Sequence, residues 1–425
     1  MSFRTAFFIF DAVFLLAGGG YVLWRVVFRS TREQGAREER EPANIRPFLD
    51  DDALEGRRLE RVLGWSLLFI LLTAISLFVY FLAEPFRQVS ANDAFLTRSI
   101  ARGATLFANK QSPAYEAEFS LLCADCHGVD GTGGTAPYVL QPEADMCLKE
   151  ANKNNPKVPE CLPKSVGWQA PNLTLAGLRY TRAQIFQIVT YGRPGTPMQP
   201  WGVASGKGAK DVQSIDDLVN YIESIKTTSK KAMDGAAADL AQYRKDAANI
   251  VDNGKTGTDR AGKQLDLETA QAALAAAKAD PKTSANVLAN LEAQVATAQA
   301  NLDAAKAFRD DVKGSSDGAI LFRLNCARCH TKGWSYHVTD PARADLPALP
   351  KQGSGAYGPN LTGGSVLLQF PGEAGLQNQL NWVTVGVPAF QQYGVRGISS
   401  GRMPHFGQAL TKAQIKAIVE YERSL

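Results

Sequence analysis

Four of the chain's six cysteines and two of its four histidines fall in two copies of one arrangement, C-x-x-C-H. Cys123, Cys126 and His127 lie in LLCADCHGVDG, and Cys326, Cys329 and His330 lie in RLNCARCHTKGW. A thioredoxin-type thiol pair needs a strand–loop–helix context and no histidine. A zinc knuckle needs two further Cys or His ligands for each pair, and the chain does not hold four suitable ligands per box. A plain disulfide leaves the adjacent histidine unexplained. The order C-x-x-C-H is the one that covalent heme attachment requires: two thiols add across two vinyl groups, and the next residue presents an imidazole to the iron. Two boxes imply two covalently attached heme c groups.

The segments that must position these residues repeat in the same order. Residues 93–227 and 314–425 each open with a helical stretch and then carry C-x-x-C-H. A Gly/Pro-rich loop follows, with Pro-Asn-Leu-Thr at Pro171–Thr174 and again at Pro359–Thr362. Each half closes with a methionine-containing loop (YGRPGTPMQPWG; SGRMPHFG) and an amphipathic helix. Repetition on this scale reads as a duplicated small domain.

Two apolar stretches precede them, about 6–28 and 62–83, in a transmembrane helical hairpin spanning 1–92. At ~1.5 Å rise per residue each covers a hydrocarbon core of roughly 30 Å. The first carries Asp11 and Arg25 near its ends and no A-x-A cleavage site, and the second is uncharged. The connecting loop 29–61 holds Arg29, Arg32, Arg37, Arg40, Arg46, Arg57, Arg58 and Arg61, against Arg4 alone before the first stretch. The positive-inside rule makes that loop cytoplasmic. The N-terminus and everything after residue 84 then face the outer side of the cytoplasmic membrane, where cysteines are oxidised. Cys147 and Cys161, the two left over, are expected to pair as a disulfide, worth on the order of 3 kcal/mol in the chain-entropy view.

Residues 228–313 change to Ala, Lys, Asp and Gln with no aromatic core. Met233, Ala236, Leu240, Tyr243, Ala247 and Ile250 step by three and four, as do Leu267, Ala270, Leu274 and Ala277. The same stepping recurs from Leu288 through Leu291, Val295, Ala298 and Leu302 to Ala305. That is a heptad seam, expected to form an antiparallel coiled coil that turns at 252–262. Asp280–Pro281 suits a helix start, yet the stepping continues through 281 and 284, so one kinked return arm is expected.

Both heme-binding segments resemble class I cytochrome c domains: C-x-x-C-H after a first helix, Pro-Asn-Leu, a methionine loop and a closing helix. The resemblance implies His127 and His330 as proximal iron ligands and Met198 and Met403 as distal ones. No other histidine lies in the first segment, and Met403 is the only methionine of the second. His405, two residues on, is the competing ligand there and otherwise a surface histidine near the heme edge; His337 reads as a loop side chain. RMPHFG fits the family's Met-Pro-x-x-Gly pattern, whereas the first loop has Gln199 between methionine and proline. Arg193 and Arg402 flank the methionine loops as candidate propionate partners or as solvated charges.

The expected fold is therefore mainly α: two N-terminal transmembrane helices, two class I cytochrome c domains (93–227 and 314–425) and an Ala-rich antiparallel coiled-coil insertion (228–313). Histidine–methionine ligation fills both axial positions and raises the reduction potential relative to bis-histidine. This implies an electron carrier with no catalytic site of its own, one tethered in membrane lipid. The architecture resembles the diheme cytochrome cc subunit of bacterial bc-type quinol:cytochrome c reductases, implying cytochrome b and Rieske-type subunits as partners. It is also similar to the diheme subunit of cbb-type oxidases, which implies heme-copper oxidase subunits. A diheme peroxidase or thiosulfate dehydrogenase is the reading from another class, and those chemistries want an open, His- or Cys-ligated iron. With 46 basic against 42 acidic residues the net charge of +4 carries no argument for nucleic acid. No small-molecule substrate is implied. The insertion is expected to dock on a neighbouring subunit.

Overall fold

The computed structural model describes residues 57–141, 163–251, 262–337 and 349–425, with a few helical positions among 16–24. Most of the first apolar stretch and the pair Cys147 and Cys161 lie outside the described residues. The chain separates into two compact units, Met1–Val89 and Ser90–Leu425.

Helix α1 runs Arg57–Phe107 without a break, with Pro85 inside it. The sequence suggests an apolar helix ending near 83 and a separate helix opening the next segment; the two are one element. Proline removes the hydrogen bond to residue 81 but is tolerated where the remaining ladder holds. The part Leu59–Phe107 is long and apolar enough to cross a membrane.

In the larger unit, α2 (Cys123–His127) is followed by an antiparallel hairpin of β1 (Gly134–Leu140) and β2 (Lys164–Ala170), paired from Gly134↔Ala170 to Leu140↔Lys164. No strand is predicted in this mainly helical fold. β2 stops where Pro171, having no N–H, cannot continue the ladder. Next come α3 (Ala176–Arg179), α4 (Arg182–Tyr191) and α5 (Val212–Ser224). A Thr181/Gln184 capping box starts α4, and Asp211 caps α5 by accepting from Ser214 N at 2.8 Å. The C-terminal part of α1 crosses α5 where Gly103 lies against the Asp217 carbonyl, leaving no room for a Cβ. Phe107 packs on Tyr221 one turn on, ring centroids 5.2 Å apart. Leu106, Ile185, Val189 and Val219 complete this core; each such side chain contributes about 1.5–3 kcal/mol by burial.

The insertion contains three helices, α6 (Ser229–Asn249), α7 (Lys263–Ala279) and α8 (Ala285–Gly314). The expectation of one kinked return arm fails at Asp280–Pro281. The residue before proline is pushed out of the helical region, and Asp280 adopts φ −92°, ψ 111°. Ser284 then caps a new helix. An antiparallel pairing is present, but it reverses at 280–284 instead of 252–262 and joins α7 to α8: Leu267 packs with Ala298 and Leu302, and Lys278 pairs with Glu292 at 2.9 Å. The root of the insertion is aromatic, contrary to expectation, with Tyr243 edge-on to Phe308 at 5.8 Å.

The last part carries the second C-x-x-C-H segment. α9 (Asp317–Asn325), α10 (Ala327–His330) and α11 (Trp334–His337) are followed by α12 (Ser365–Gln369) and α13 (Gly372–Val385). A minimal hairpin, β3 (Gln392–Tyr393) with β4 (Gly397–Ile398), precedes α14 (Lys412–Ser424). α9 crosses α14 as α1 crosses α5: Gly318 meets the Ala417 carbonyl, and Phe322 packs on Tyr421 at 5.5 Å.

Candidate functional site

His127 ends α2 and is buried, with Nδ1 3.0 Å from the carbonyl oxygen of Pro171. A carbonyl oxygen only accepts, so Nδ1 carries the proton and Nε2 keeps a free lone pair for a metal. Backbone contacts hold the pair in place: Gly133 N–H donates to the His127 carbonyl at 2.8 Å, and Leu173 N–H to the Gly131 carbonyl at 2.7 Å. Asn172 Oδ1 accepts from Thr174 N and Oγ1 at 2.9 and 2.7 Å, an Asx turn that orients the Pro171 peptide.

The second box has the same frame. His330 Nδ1 donates to the Pro359 carbonyl at 3.0 Å. Gly355 N–H donates to the His330 carbonyl at 2.9 Å, and Leu361 N–H to the Gly353 carbonyl at 2.7 Å. Asn360 Oδ1 accepts from Thr362 N and Oγ1, each at 2.9 Å. Gly358 stands against the imidazole: a Cβ there would lie 2.5 Å from His330 Cε1. Burial holds both imidazoles below the ordinary histidine range, opposed by their bonds to the proline carbonyls. Both are therefore neutral ligand-type imidazoles.

The four box cysteines are unpaired. Burial pushes the Cys123 thiol up to about 12 and Cys326 well above its ordinary value. A redox-active pair has a lowered thiol pKa, so these protonated thiols do not suit that chemistry. Among the described residues no group of three or more His, Cys, Asp or Glu side chains could hold a metal ion, so the ligand set of a zinc site is missing there.

The methionine loops match as well. Gly192 (φ +66°) ends α4 and Gly386 (φ +68°) ends α13, each turning the chain into its loop. Trp201 and Gly202 N–H donate to the Val189 and Thr190 carbonyls at 3.1 Å each. Phe406 and Gly407 N–H donate to those of Val383 and Thr384 at 3.0 and 2.9 Å. Gln199 thus adds no length: Met198 and Met403 stand at the same offset from their loop closures. Met198 is half-buried, its carbonyl accepting from Arg193 N–H at 2.9 Å. Met403 packs on the cluster that contains Cys326.

Residues 100–226 match the cytochrome c family model. They form a cytochrome c domain. No curated protein and no solved structure matches the chain. The cytochrome c domain implies a covalently bound heme c and heme-based electron transfer. Its donor set fits that group: two neutral thiols, a neutral imidazole with Nε2 free, and a half-buried methionine on a fixed loop.

Residues of the cytochrome c domain meet the second box directly. Arg328, between Cys326 and Cys329, donates through Nη1 to the Gln169 carbonyl and through Nη2 to Gln169 Oε1 at 3.4 Å. Its positive charge is a further cause that lowers the His127 pKa. Arg179 Nη2 donates to Asn325 Oδ1 at 2.7 Å, and the Arg179 carbonyl accepts from His405 N–H at 3.1 Å. Tyr357 Oη donates to the Gly195 carbonyl in the Met198 loop at 2.8 Å, and Gln184 Nε2 to the Gly401 carbonyl at 3.0 Å. None of these contacts is legible from spacing.

The two spare histidines depart from expectation. His337 is helical and buried at 3 % exposure, not a loop side chain. His405 is half-buried at the contact with Arg179 instead of on the open surface. Arg193 donates to Tyr180 Oη at 3.1 Å, whereas Arg402 is exposed. The insertion is packed at its root: Ala236 and Leu240 of α6 lie on the Cys326 cluster, and Ala232 joins Leu178 and Ala409.

Proposed function

We propose that the chain is a membrane-anchored diheme c-type cytochrome that relays single electrons. The observation that carries this reading is the repetition of one frame: at both boxes histidine Nδ1 donates to the proline carbonyl of Pro-Asn-Leu-Thr, over the same glycine contacts and Asx turn. Cys326, Cys329 and His330 would hold a second heme as Cys123, Cys126 and His127 would hold the first. Met198 and Met403 would supply the second ligand at each site. When bound, heme supplies reversible one-electron chemistry. The protein's part is to fix the imidazole tautomer and set the distance between sites. A histidine and a methionine at each site would leave no position for a substrate, which favours a carrier over a peroxidase or thiosulfate dehydrogenase.

The apolar helix within α1 and the stretch 6–28 anchor the chain, with loop 29–61 on the cytoplasmic side and the heme sites outside. The chain serves a respiratory complex, taking electrons from a bc-type quinol-oxidising core toward a terminal oxidase; a cbb-type oxidase subunit is the alternative. The ending YGVRGISSGRMPHFG supports the first by its likeness to cytochromes of that group.

Purification from membranes tests the reading. Two hemes per chain, with the red-edge absorption band of methionine-ligated ferric heme, are expected. High-spin iron or peroxide turnover would overturn the carrier assignment. Cytochrome b and a Rieske protein in the same preparation mark the reductase, and heme-copper subunits alone mark the oxidase.

A further inference from the structure

Three arginines gather where the cytochrome c domain meets the second C-x-x-C-H segment, and among the described residues no carboxylate pairs with any of them. Arg179 is held by Asn325 Oδ1 at 2.7 Å and lies over the Phe406 ring at 5.1 Å. Its Nε is buried with no hydrogen-bond partner. Arg328 rests on the two oxygens of Gln169. Arg193 has Tyr180 Oη at 3.1 Å and lies over that ring at 5.6 Å. Every one of these acceptors is neutral. Burial disfavours the charge of Arg328 and the two other cations add to this, while Asp239 of α6 acts on Arg179 only at longer range, without forming an ion pair.

A guanidinium does not lose its proton in a protein, so the charge persists. All three side chains are only partly buried, so water screens part of the cost of their charges, and no carboxylate among the described residues offsets the rest. Glutamine or methionine would pack there at less cost, so stability alone does not account for three arginines. The chemistry that offsets such a cluster is an anion, and each heme c brings two propionate carboxylates and gains one further negative charge on reduction.

We infer that Arg179, Arg193 and Arg328 form one cationic cluster serving both heme sites, which favours the electron-bearing state of each heme and so raises its reduction potential. This rests on the reading of the second box as a heme site. Arg328 extends from the second box to Gln169, two residues before the proline that orients His127, and Arg179 extends from the cytochrome c domain to the residue before Cys326. Each site therefore has a cation supplied by the other half of the molecule. The electron comes from the membrane donor in the cell and from a mediator dye in a titration.

The test is a mediated redox titration of the full-length, heme-loaded protein carrying Arg179→Gln or Arg328→Gln. Each is expected to lower at least one midpoint, on the order of tenfold in the reduction equilibrium constant, about 59 mV for one electron. Arg179→Lys keeps the charge and should restore most of the loss; Asn325→Ala keeps the cation and should stay near the parent values. Unchanged midpoints in both glutamine variants, with heme content intact, would overturn the inference. So would a lysine variant that falls as far as glutamine, because geometry and not charge would then be responsible. If Arg179→Gln fails to fold, Arg193→Gln on the half-buried loop provides the same measurement. A parent protein carrying a single heme overturns the two-heme reading instead, and the Arg328 variant still tests the cluster on the heme beside His127.

Discussion

His330 Nδ1 and the Pro359 carbonyl oxygen stand 3.0 Å apart, the same distance as His127 Nδ1 and the Pro171 carbonyl. In both cases an asparagine follows the proline and ties down its peptide through an Asx turn. Asn172→Ala and Asn360→Ala each remove two hydrogen bonds, about 1–3 kcal/mol in total. Each is expected to loosen one imidazole and weaken the methionine-ligation band of that heme alone, read in optical spectra of the two variants.

Gly358 is the tightest steric point of the second site. Alanine there would put a Cβ 2.5 Å from His330 Cε1, against a ring already fixed by Pro359. Overpacking of this kind costs about 1–3 kcal/mol. If both boxes hold heme as proposed, Gly358→Ala is expected to halve the heme bound per chain while the spectrum of the first heme survives. Full heme content with an unaltered spectrum would show that the loop yields freely.

Glu422 on α14 is buried, with one hydrogen bond from Gln379 Nε2 at 2.9 Å. Burial pushes its carboxyl from the ordinary 4.5 to about 7, with the Gln379 bond acting in the other direction. A raised folded-state value means that stability from this group is full below 4.5 and is lost as pH rises through about 7. The loss is on the order of 3 kcal/mol. Thermal unfolding at about pH 5 and about pH 8 should show it, and Glu422→Gln should flatten that dependence.

Asp217 on α5 has the opposite sign. Burial raises its carboxyl, but hydrogen bonds from Arg102, Ser99 and Gln213 outweigh this and hold it below its ordinary 3.8. Its contribution is present above 3.8 and is lost as pH falls through the lowered value. Arg102 pairs with it at 2.6 Å while half exposed, so Arg102→Gln should cost only about 1–2 kcal/mol. Acid unfolding of that variant should begin at higher pH than in the parent.

The insertion separates into a packed root and a solvated tip. Leu240 touches both the Cys326 cluster and the cluster of Ala247 and Phe308. Leu240→Ala is expected to destabilise by about 2–3 kcal/mol, whereas Gln294→Ala on the exposed face of α8 should stay within about 0.5 kcal/mol. Chemical denaturation of the two variants reads the difference.

What the sequence by itself determined is local chemistry. Adjacent residues put two thiols and an imidazole within one short segment, and three-four stepping in alanine and leucine needs no partner to declare a helical seam. The duplicated order of motifs is equally a property of the string. Tertiary structure decided what lies far apart in it. Pro171 reaches His127 only because a hairpin returns the chain to α2, and Gly103 and Gly318 matter only where two helices cross closely enough to exclude a Cβ. Arg328 is one of two unspecified positions in its box until Gln169 is placed against it. Side-chain pattern encodes which face is buried, but not which distant backbone oxygen or neutral acceptor will meet it. The helical break at Asp280 shows the limit on the local side too, since hydrophobic phase continued through a proline whose backbone could not.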